Sequence, residues 1–289
     1  MGLENKCVIS AALAGAGTFK ENNPAVPYGV DECIEEAVRS YEAGAAVVHI
    51  HARTPEGMPT EDPEILGPIV EGIRSRCPVL INLSTAVGAF KTPEQRISVV
   101  KNFKPDIASF NTGTMNFAIA NRNTGDILME ITFENTFEMM RMFNEEMKQA
   151  GTKPEMEVYC MAHVDNVLLL KKKGIFGEPM HFQFVFGVTG GVRLTPMTFA
   201  HFLHLIPEGS SWSVCGVGLD SFRSNFMAVV NGGHIRVGLE DNLYATGKTL
   251  AAGNHELVAK AVEIVRLADR EPATPEEART LFHLPPKKA

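Results

Sequence analysis

Two histidines, His49 and His51, lie two positions apart in the apolar run VVHIHAR (47–53), a pattern typical of a buried strand. Side chains alternate along a strand, so both imidazoles project to the same face and can converge on one point. Two imidazole nitrogens about 2.0–2.1 Å from a shared ion would supply two ligands of a zinc site. A single buried histidine is more often a satisfied core residue, and the pair alone leaves both interpretations open.

A second segment, NGGHIRVGLEDN (231–242), carries charged side chains in what also looks like a strand. Arg236 and Glu240 share one parity and therefore point to the same side, which in a barrel strand is the interior. Charged groups that face a barrel interior are costly unless they are paired or bind a metal. We therefore predict Glu240 as the third metal ligand, with Arg236 orienting Glu240 or Asp241. The alternative is a purely structural ion pair of Arg236 with one of these carboxylates.

Other polar side chains near the ends of predicted strands are weaker candidates. They are Ser84, Thr85, Ser109, Asn111 and Glu157. Each of them by itself could equally be a cap or turn residue.

Two stretches match phosphate-binding motifs only in part. GAGTFK (15–20) has Lys20 in place of the third glycine, and GKT (247–249) follows Asn242 where a P-loop needs its first glycine. The glycines of AGAG (14–17), among them Gly17, either leave room for a ligand or simply serve a tight turn.

The elements that must position these residues alternate along the chain. Short apolar runs rich in β-formers predict eight strands, at 7–13, 46–52, 79–85, 106–111, 155–160, 181–188, 211–218 and 234–240. Amphipathic stretches between them predict helices, for example at 30–45, 92–103, 134–151 and 254–270. Asp31 is expected to cap the first of these helices and Gly44 to end it, and Thr92 with Pro93 is expected to begin the second.

Strand and helix alternate about eight times, which implies parallel strands joined by right-handed crossovers. The predicted fold class is α/β, a (β/α)8 TIM barrel in a single domain over 1–289, with a doubly wound open sheet as the alternative. The barrel is expected at roughly 7–270, a C-terminal helix at 274–282, and a frayed tail at 284–289. The polar loop NRNTGDIL (121–128) is expected to be a turn before the fourth helix.

The composition narrows the class of partner. The chain has 289 residues, of which 45% are hydrophobic, so it can bury a large core. A formal net charge of −7 without a lysine or arginine stripe argues against nucleic acid and anionic membranes and favours a small molecule. No apolar run approaches the roughly 18–20 residues of a membrane helix, and residues 7–17 are expected to be a strand rather than a secretory signal. The five scattered cysteines indicate reduced thiols and a cytoplasmic location.

Segments along nearly the whole chain resemble the β-keto acid cleavage enzymes. In order, they are VVHIHAR, NLST, SFNTGTMNF, PEMEVY, FQFVFGVTGG and GGHIRVGLEDN. The resemblance implies a zinc-dependent TIM barrel, with one Zn²⁺ per subunit, that condenses a β-keto acid with acetyl-CoA. The products of this acyltransferase reaction are acetoacetate and a new acyl-CoA. The resemblance also implies a homodimer or homotetramer.

The same resemblance implies roles for the charged residues. It makes His49, His51 and Glu240 the metal ligands. Asp241, steered by Arg236, matches the acid/base element of the family.

The remaining positions are implied to be catalytic or to contact the substrate. Glu157 and Ser84 match further active-site groups, whereas Thr85, Ser109 and Asn111 are expected to contact the substrate. Ser109 stands where a family member has threonine, a change that keeps the hydroxyl.

One position departs from the pattern of the members that cleave the aminated substrate 3-keto-5-aminohexanoate. Those members have a glutamate for the amino group in the loop after the first strand, where this chain has Gly17. We therefore expect a neutral or differently charged β-keto acid as substrate.

Two other classes of function stay open at the level of the sequence, because a fold does not assign chemistry. One is a metal-dependent aldolase or hydrolase on the same barrel, which would need no CoA. The other is a non-catalytic barrel that binds a metal or another ligand.

Overall fold

The computed structural model describes residues 2–88, 90–121 and 124–285. Parallel strands in chain order form a closed barrel. They are β1 (Ile9–Ala12), β2 (Val47–Ile50), β3 (Leu80–Leu83), β4 (Ile107–Asn111), β5 (Lys153–Val158), β6 (His181–Phe186), β7 (Ser211–Gly216) and β8 (His234–Val237). One strand lies in each of the eight predicted runs. The predicted TIM barrel is confirmed, and the open sheet is wrong.

A helix follows each barrel strand, and one more follows the barrel. The helices of the described residues are α1 (Val30–Ala43), α2 (Pro63–Arg76), α3 (Pro93–Phe103), α4 (Phe137–Ala150), α5 (Met161–Lys171), α6 (Pro196–Leu205), α7 (Asp220–Val230), α8 (Asn254–Leu267) and α9 (Pro275–Leu281). A 3₁₀ turn covers Leu3–Asn5. The apolar faces of the helices pack on the outside of the barrel and form the main core.

The ends of the helices follow local sequence rules with one exception. Thr92 caps α3 by accepting a hydrogen bond from the backbone N–H of Gln95, and Gly44 ends α1 with a φ of 118°. The expectation that Asp31 caps α1 is wrong, because Gly29 occupies that position. The carboxylate of Glu32 reaches back to the Gly29 N–H instead, so a glutamate in the first turn does the capping.

The connection between β4 and α4 differs from the prediction. Met115–Ala120 and Ile127–Phe133 form an antiparallel hairpin, so 121–128 is not simply a turn before α4. Its last two residues begin the second strand, and residues 122 and 123 lie outside the described residues. The apolar residues Ile127 and Leu128 are exposed at 57% and 73%.

Shorter strand pairs complete the ends of the barrel. At the carboxyl end Ala52–Arg53 pairs with Pro59–Thr60, and Tyr244–Thr246 pairs with Thr249–Leu250. At the amino end Lys6–Cys7 pairs with Glu271–Pro272.

The segment after α8 closes the amino end of the barrel. Phe282 is fully buried there, with its ring centroid 4.0 Å from that of His181 and 5.2 Å from that of His234. Leu284 belongs to the same buried cluster, so the expectation of a frayed tail is wrong at its first residue. Residues 286–289 of that tail lie outside the described residues.

Candidate metal centre and active site

The structure brings His49, His51 and Glu240 together at the carboxyl end of the barrel. The Nε2 atoms of His49 and His51 each lie 3.7 Å from a carboxylate oxygen of Glu240. One ligand atom from each residue can be chosen so that all three lie within 4.8 Å of one another. This spacing suits one ion at about 2 Å from each ligand atom.

The state of these side chains also suits a metal. His49 Nδ1, His51 Nδ1 and Glu240 Oε2 are buried and have no hydrogen-bond partner among the described residues. Burial lowers the pKa of His49 to about 4, so its imidazole is neutral at pH 7 and has a free lone pair. Burial opposes ionisation of Glu240, but Arg236 and the two histidines hold its pKa well below the usual value. Two imidazoles and one carboxylate are a donor set that zinc accepts.

Glu240 reaches the centre by a route that strand parity does not describe. The predicted strand 234–240 ends at Val237, and the chain then turns at Gly238, whose φ is 147°. A Cβ at Gly238 would overlap the carbonyl oxygen of Ala12. The turn lets the Glu240 N–H donate to that carbonyl at 3.2 Å. Glu240 therefore belongs to the connection after β8 rather than to the strand.

Gly15 makes room for the same side chain. Its φ is +62°, and a Cβ there would overlap Cγ of Glu240. Of the two interpretations of the AGAG segment, the tight turn applies to Gly15, which also leaves space for the side chain of Glu240. A Cβ at Gly17, in contrast, would meet no described heavy atom within 4 Å.

Arg236 connects the candidate ligand Glu240 with Asp241. Its Nε and Nη2 donate to the two carboxylate oxygens of Asp241, both at 2.9 Å, and Nη2 also donates to Glu240 at 2.5 Å. The fork of the guanidinium fixes the orientation of both carboxylates. Burial raises the pKa of Asp241 despite this contact with Arg236.

Glu157 lies on the other side of the same guanidinium. Its Oε1 is 3.8 Å from Arg236 Nη1, and its Oε2 accepts a hydrogen bond from the Tyr159 hydroxyl at 3.3 Å. Burial raises the pKa of Glu157 to about 8, and the nearby carboxylates of Glu155 and Glu240 add to that effect. Without a metal ion, Glu157 is therefore mostly a neutral acid at pH 7.

This pKa predicts how the stability of the metal-free protein depends on pH. A carboxyl whose pKa rises from 4.5 to about 8 on folding stabilises the fold fully below pH 4.5. That contribution is lost as the pH rises towards 8. We expect the Tm of the chelator-treated wild type to fall more between pH 6 and 9 than that of Glu157→Gln. Exposed Glu145→Gln on α4 is the control and should follow the wild type, whereas parallel curves for Glu157→Gln would contradict the raised pKa.

The predicted hydroxyl residues lie near the centre but largely bond one another. The backbone N–H of Thr85 donates to Ser109 Oγ, and the Thr85 hydroxyl donates to the Ser109 carbonyl, both at 2.9 Å. Ser84 Oγ accepts a hydrogen bond from the Ala86 N–H at 3.1 Å. The bonds between Thr85 and Ser109 hold the end of β3 against β4, which supports a structural role for these two residues.

Asn111 is in a different situation. It is 5% exposed, and neither its side-chain oxygen nor its nitrogen has a hydrogen-bond partner among the described residues. It lies beside Glu157 in the register of β4 and β5. A buried amide without partners at this position can bind a ligand.

Sequence reasoning missed two residues that support the site. Gln183 Oε1 accepts from Arg236 Nη1 at 3.4 Å, and Gln183 is fully buried. Its position as a lone amide inside the apolar run 181–188 was a usable signal. Arg53 donates to the carbonyls of Ala14, at 3.1 Å, and Thr18, at 2.8 Å, and so holds the loop that contains Gly17.

Comparisons with known proteins agree over the whole barrel. The family model described as beta-keto acid cleavage enzyme matches residues 6–284. The 3-keto-5-aminohexanoate cleavage enzyme of Fusobacterium nucleatum subsp. nucleatum is 39% identical over 280 residues, which cover 96% of this chain and 98% of the relative. The protein of the same name from Acetoanaerobium sticklandii is 40% identical over 278 residues, with coverage of 96% and 98%.

A third relative carries a different substrate in its name. The 3-oxoadipate:acetyl-CoA acetyltransferase of Cupriavidus necator is 30% identical over 283 residues, which cover 96% of this chain and 95% of the relative. A solved structure described as a ternary complex of ObcA with C4-CoA adduct and oxalate matches with a TM-score of 0.74. It is 22% identical and covers 90% of this chain and 68% of its own, so it supports the fold. No helix in the described part of the chain is long and apolar enough to cross a membrane.

Proposed function

The chain belongs to the β-keto acid cleavage enzyme family, and we propose that it is a zinc-dependent enzyme that condenses a β-keto acid with acetyl-CoA. The products would be acetoacetate and a new acyl-CoA. The observation that carries this proposal is the position of the His49, His51 and Glu240 cluster beside the Asp241–Arg236 pair. Catalytic groups of TIM barrels lie at this carboxyl end. The name of the Cupriavidus necator relative supports acetyl transfer from acetyl-CoA.

The metal would be held by His49, His51 and Glu240, which leave a coordination position open to the substrate. When bound, a zinc ion supplies the Lewis acidity that stabilises an enolate. Asp241 is the proposed base that takes a proton from C2 of the β-keto acid. Arg236 orients its carboxylate towards that proton.

The bonds then change in two stages. C2 attacks the carbonyl carbon of the acetyl thioester, and the CoA thiolate leaves. The thiolate attacks the original ketone carbon, the C2–C3 bond breaks, and its electron pair returns to C2. Asp241 gives back the proton, which completes acetoacetate, and the other product is the acyl-CoA. Arg236 and Ser84 are the proposed donors to the oxyanions.

Other residues complete the proposed site. Glu157, held beside Arg236, can donate a proton or a hydrogen bond to the substrate when it is protonated. Asn111, with its free amide, is a proposed substrate contact, together with Thr85, Ser109 and Gly17. We place this enzyme in the cytoplasm as a homodimer or homotetramer, and the exposed apolar side chains of the 115–133 hairpin support self-association.

A panel of β-keto acids with acetyl-CoA and Zn²⁺ tests both the reaction and the role of Gly17. We expect acetoacetate to form with a neutral β-keto acid and only poorly with 3-keto-5-aminohexanoate, because no carboxylate is present at position 17. A Gly17→Glu variant has room for its side chain and should improve kcat/KM for the aminated substrate, whereas Gly17→Gln should not.

Two outcomes would contradict these expectations. A wild type that prefers the aminated substrate would reject the role of Gly17 while leaving the reaction intact. Substrate turnover that does not depend on acetyl-CoA would instead favour a metal-dependent aldolase or hydrolase.

A further inference from the structure

Two of the connections that form the rim at the carboxyl end of the barrel are short, so the rim is low there. The connection from β5 to α5 consists of residues 159–160, and the connection from β7 to α7 consists of residues 217–219. The other connections are longer, and three of them carry strand pairs. When the thioester of a long co-substrate reacts inside the barrel, the rest of the molecule must extend outwards across one of these short connections.

The low rim at β5 is covered by its neighbours. Ala118 of the 115–133 hairpin bridges to Thr189 in the loop after β6. In the same loop, the Val192 N–H donates to the Tyr159 carbonyl at 2.8 Å. A Cβ at Gly190 would overlap a carbonyl oxygen of the hairpin, so the two segments are in close contact. This route is closed.

The low rim at β7 is exposed and lies against the backbone of the proposed base. A Cβ at Gly218 would meet no described heavy atom within 4 Å, and Leu219 is 82% exposed. The Gly218 N–H nevertheless donates to the backbone carbonyl of Asp241 at 2.8 Å. The opening is therefore adjacent to the reaction centre.

Basic side chains lie on the elements next to this opening, which are α7, the connection after β8 and α8. Arg223, in the first turn of α7, is exposed, with the Asp220 carboxylate 4.0 Å away. Lys248 is exposed in the turn of the 244–250 hairpin. Lys260 ties that hairpin to α7, since its Nζ donates to the Ala245 carbonyl and lies 4.0 Å from the ring centroid of Phe222.

These residues form what we call the β7 rim patch: Leu219, Phe222, Arg223, Lys248 and Lys260. It holds three basic side chains, although the whole chain carries a net charge of −7. The carboxylate of Asp220 lies 4.0 Å from Arg223, and Glu256 and Glu263 lie one turn away from Lys260 on α8. Apolar and aromatic surface lies between the cations. This combination matches the phosphates and the base of a nucleotide.

We infer that the β7 rim patch binds the phosphate-bearing nucleotide end of acetyl-CoA, with the pantetheine arm crossing residues 217–219 towards Asp241. Arg223 and Lys248 contact the phosphates, and Leu219 contacts the adenine. The inference rests on the proposed function, because it assumes that acetyl-CoA is the co-substrate.

The test compares two thioesters that differ only in the nucleotide end. KM and kcat are measured for acetyl-CoA and for S-acetyl-pantetheine, with wild type and the Arg223→Gln/Lys248→Gln double variant. We expect the double variant to raise KM for acetyl-CoA about tenfold, from two exposed charge contacts, and to leave KM for S-acetyl-pantetheine unchanged. Added salt should raise the wild-type KM for acetyl-CoA and affect the double variant less. Arg266→Gln, exposed in the last turn of α8 and therefore towards the amino end of the barrel, is the matched control.

The outcomes separate this inference from the proposed function. An equal loss with both thioesters, or no change with acetyl-CoA, would reject the patch while the reaction itself stands. A wild type that does not use acetyl-CoA at all would reject the proposed function and this inference with it.

Discussion

Glu240→Gln is expected to lose its bound metal and at least about a thousandfold in kcat/KM, since several kcal/mol of charge stabilisation disappear with the ion. The variant keeps the shape of the side chain but removes the only carboxylate among the three proposed ligands. Its amide is also a poor partner for Arg236, which donates to Glu240 at 2.5 Å in the wild type. Zinc content by elemental analysis and acetoacetate formation measure the two losses.

A matched control separates metal binding from the general cost of changing a buried carboxylate. Glu155→Gln alters a carboxylate that is 1% exposed and lies in the same barrel, where it bonds Asn82 at 2.7 Å rather than the proposed ligands. We expect Glu155→Gln to retain the metal. His49→Ala should lose it, with circular dichroism confirming that each variant is folded. A folded Glu240→Gln protein with full zinc and wild-type activity would show that the cluster is only a structural ion pair.

Asp241→Asn is expected to keep the metal and lose about 10²–10⁴-fold in kcat, the usual contribution of a general base. The substitution conserves the shape of the side chain and one of the two acceptors that face Arg236, and Arg236 still donates directly to Glu240. KM for the β-keto acid should change far less than kcat, since the base acts in the transition state. Steady-state kinetics and zinc content on the same preparation test both parts.

Two results would contradict this role for Asp241. Substantial activity in Asp241→Asn would reject it as the base and leave Glu157 as the next candidate. Loss of zinc together with activity would show that Asp241 acts mainly by anchoring Arg236 beside the ligand Glu240. Asp165→Asn, exposed on α5, serves as the control and should match the wild type in both measurements.

The sequence by itself determined the barrel and the shared face of two of the three proposed metal ligands. Short apolar runs and amphipathic stretches are local patterns, and their regular alternation leaves few topologies for a parallel sheet. The positions of His49 and His51 follow from the same local rule, because residues two apart on a strand share a face. Thr92 and Gly44 likewise act within one turn of their own helices, where sequence alone sets the hydrogen bonds.

Only the tertiary structure decided how distant segments meet. Glu240 reaches the two histidines because the chain turns at Gly238 against the carbonyl of Ala12, and because Gly15 leaves space for its side chain. Parity along β8 predicted that Glu240 lies beside the two histidines, as it does, but by an argument that fails after Val237, where the strand ends. When two segments that are far apart in sequence approach closely, the residue pattern of neither segment indicates the contact.

The same reason explains the other differences. Each hydroxyl of Thr85 and Ser109 bonds the backbone of the other residue because β3 and β4 are neighbours, and nothing local to either run indicates that pairing. The open rim at β7 and its cations depend on which loops cover one another, as do the closed rim at β5 and the Arg53 contacts that hold the loop of Gly17. Packing between connections, rather than the pattern within any one of them, decides where substrates can enter this barrel.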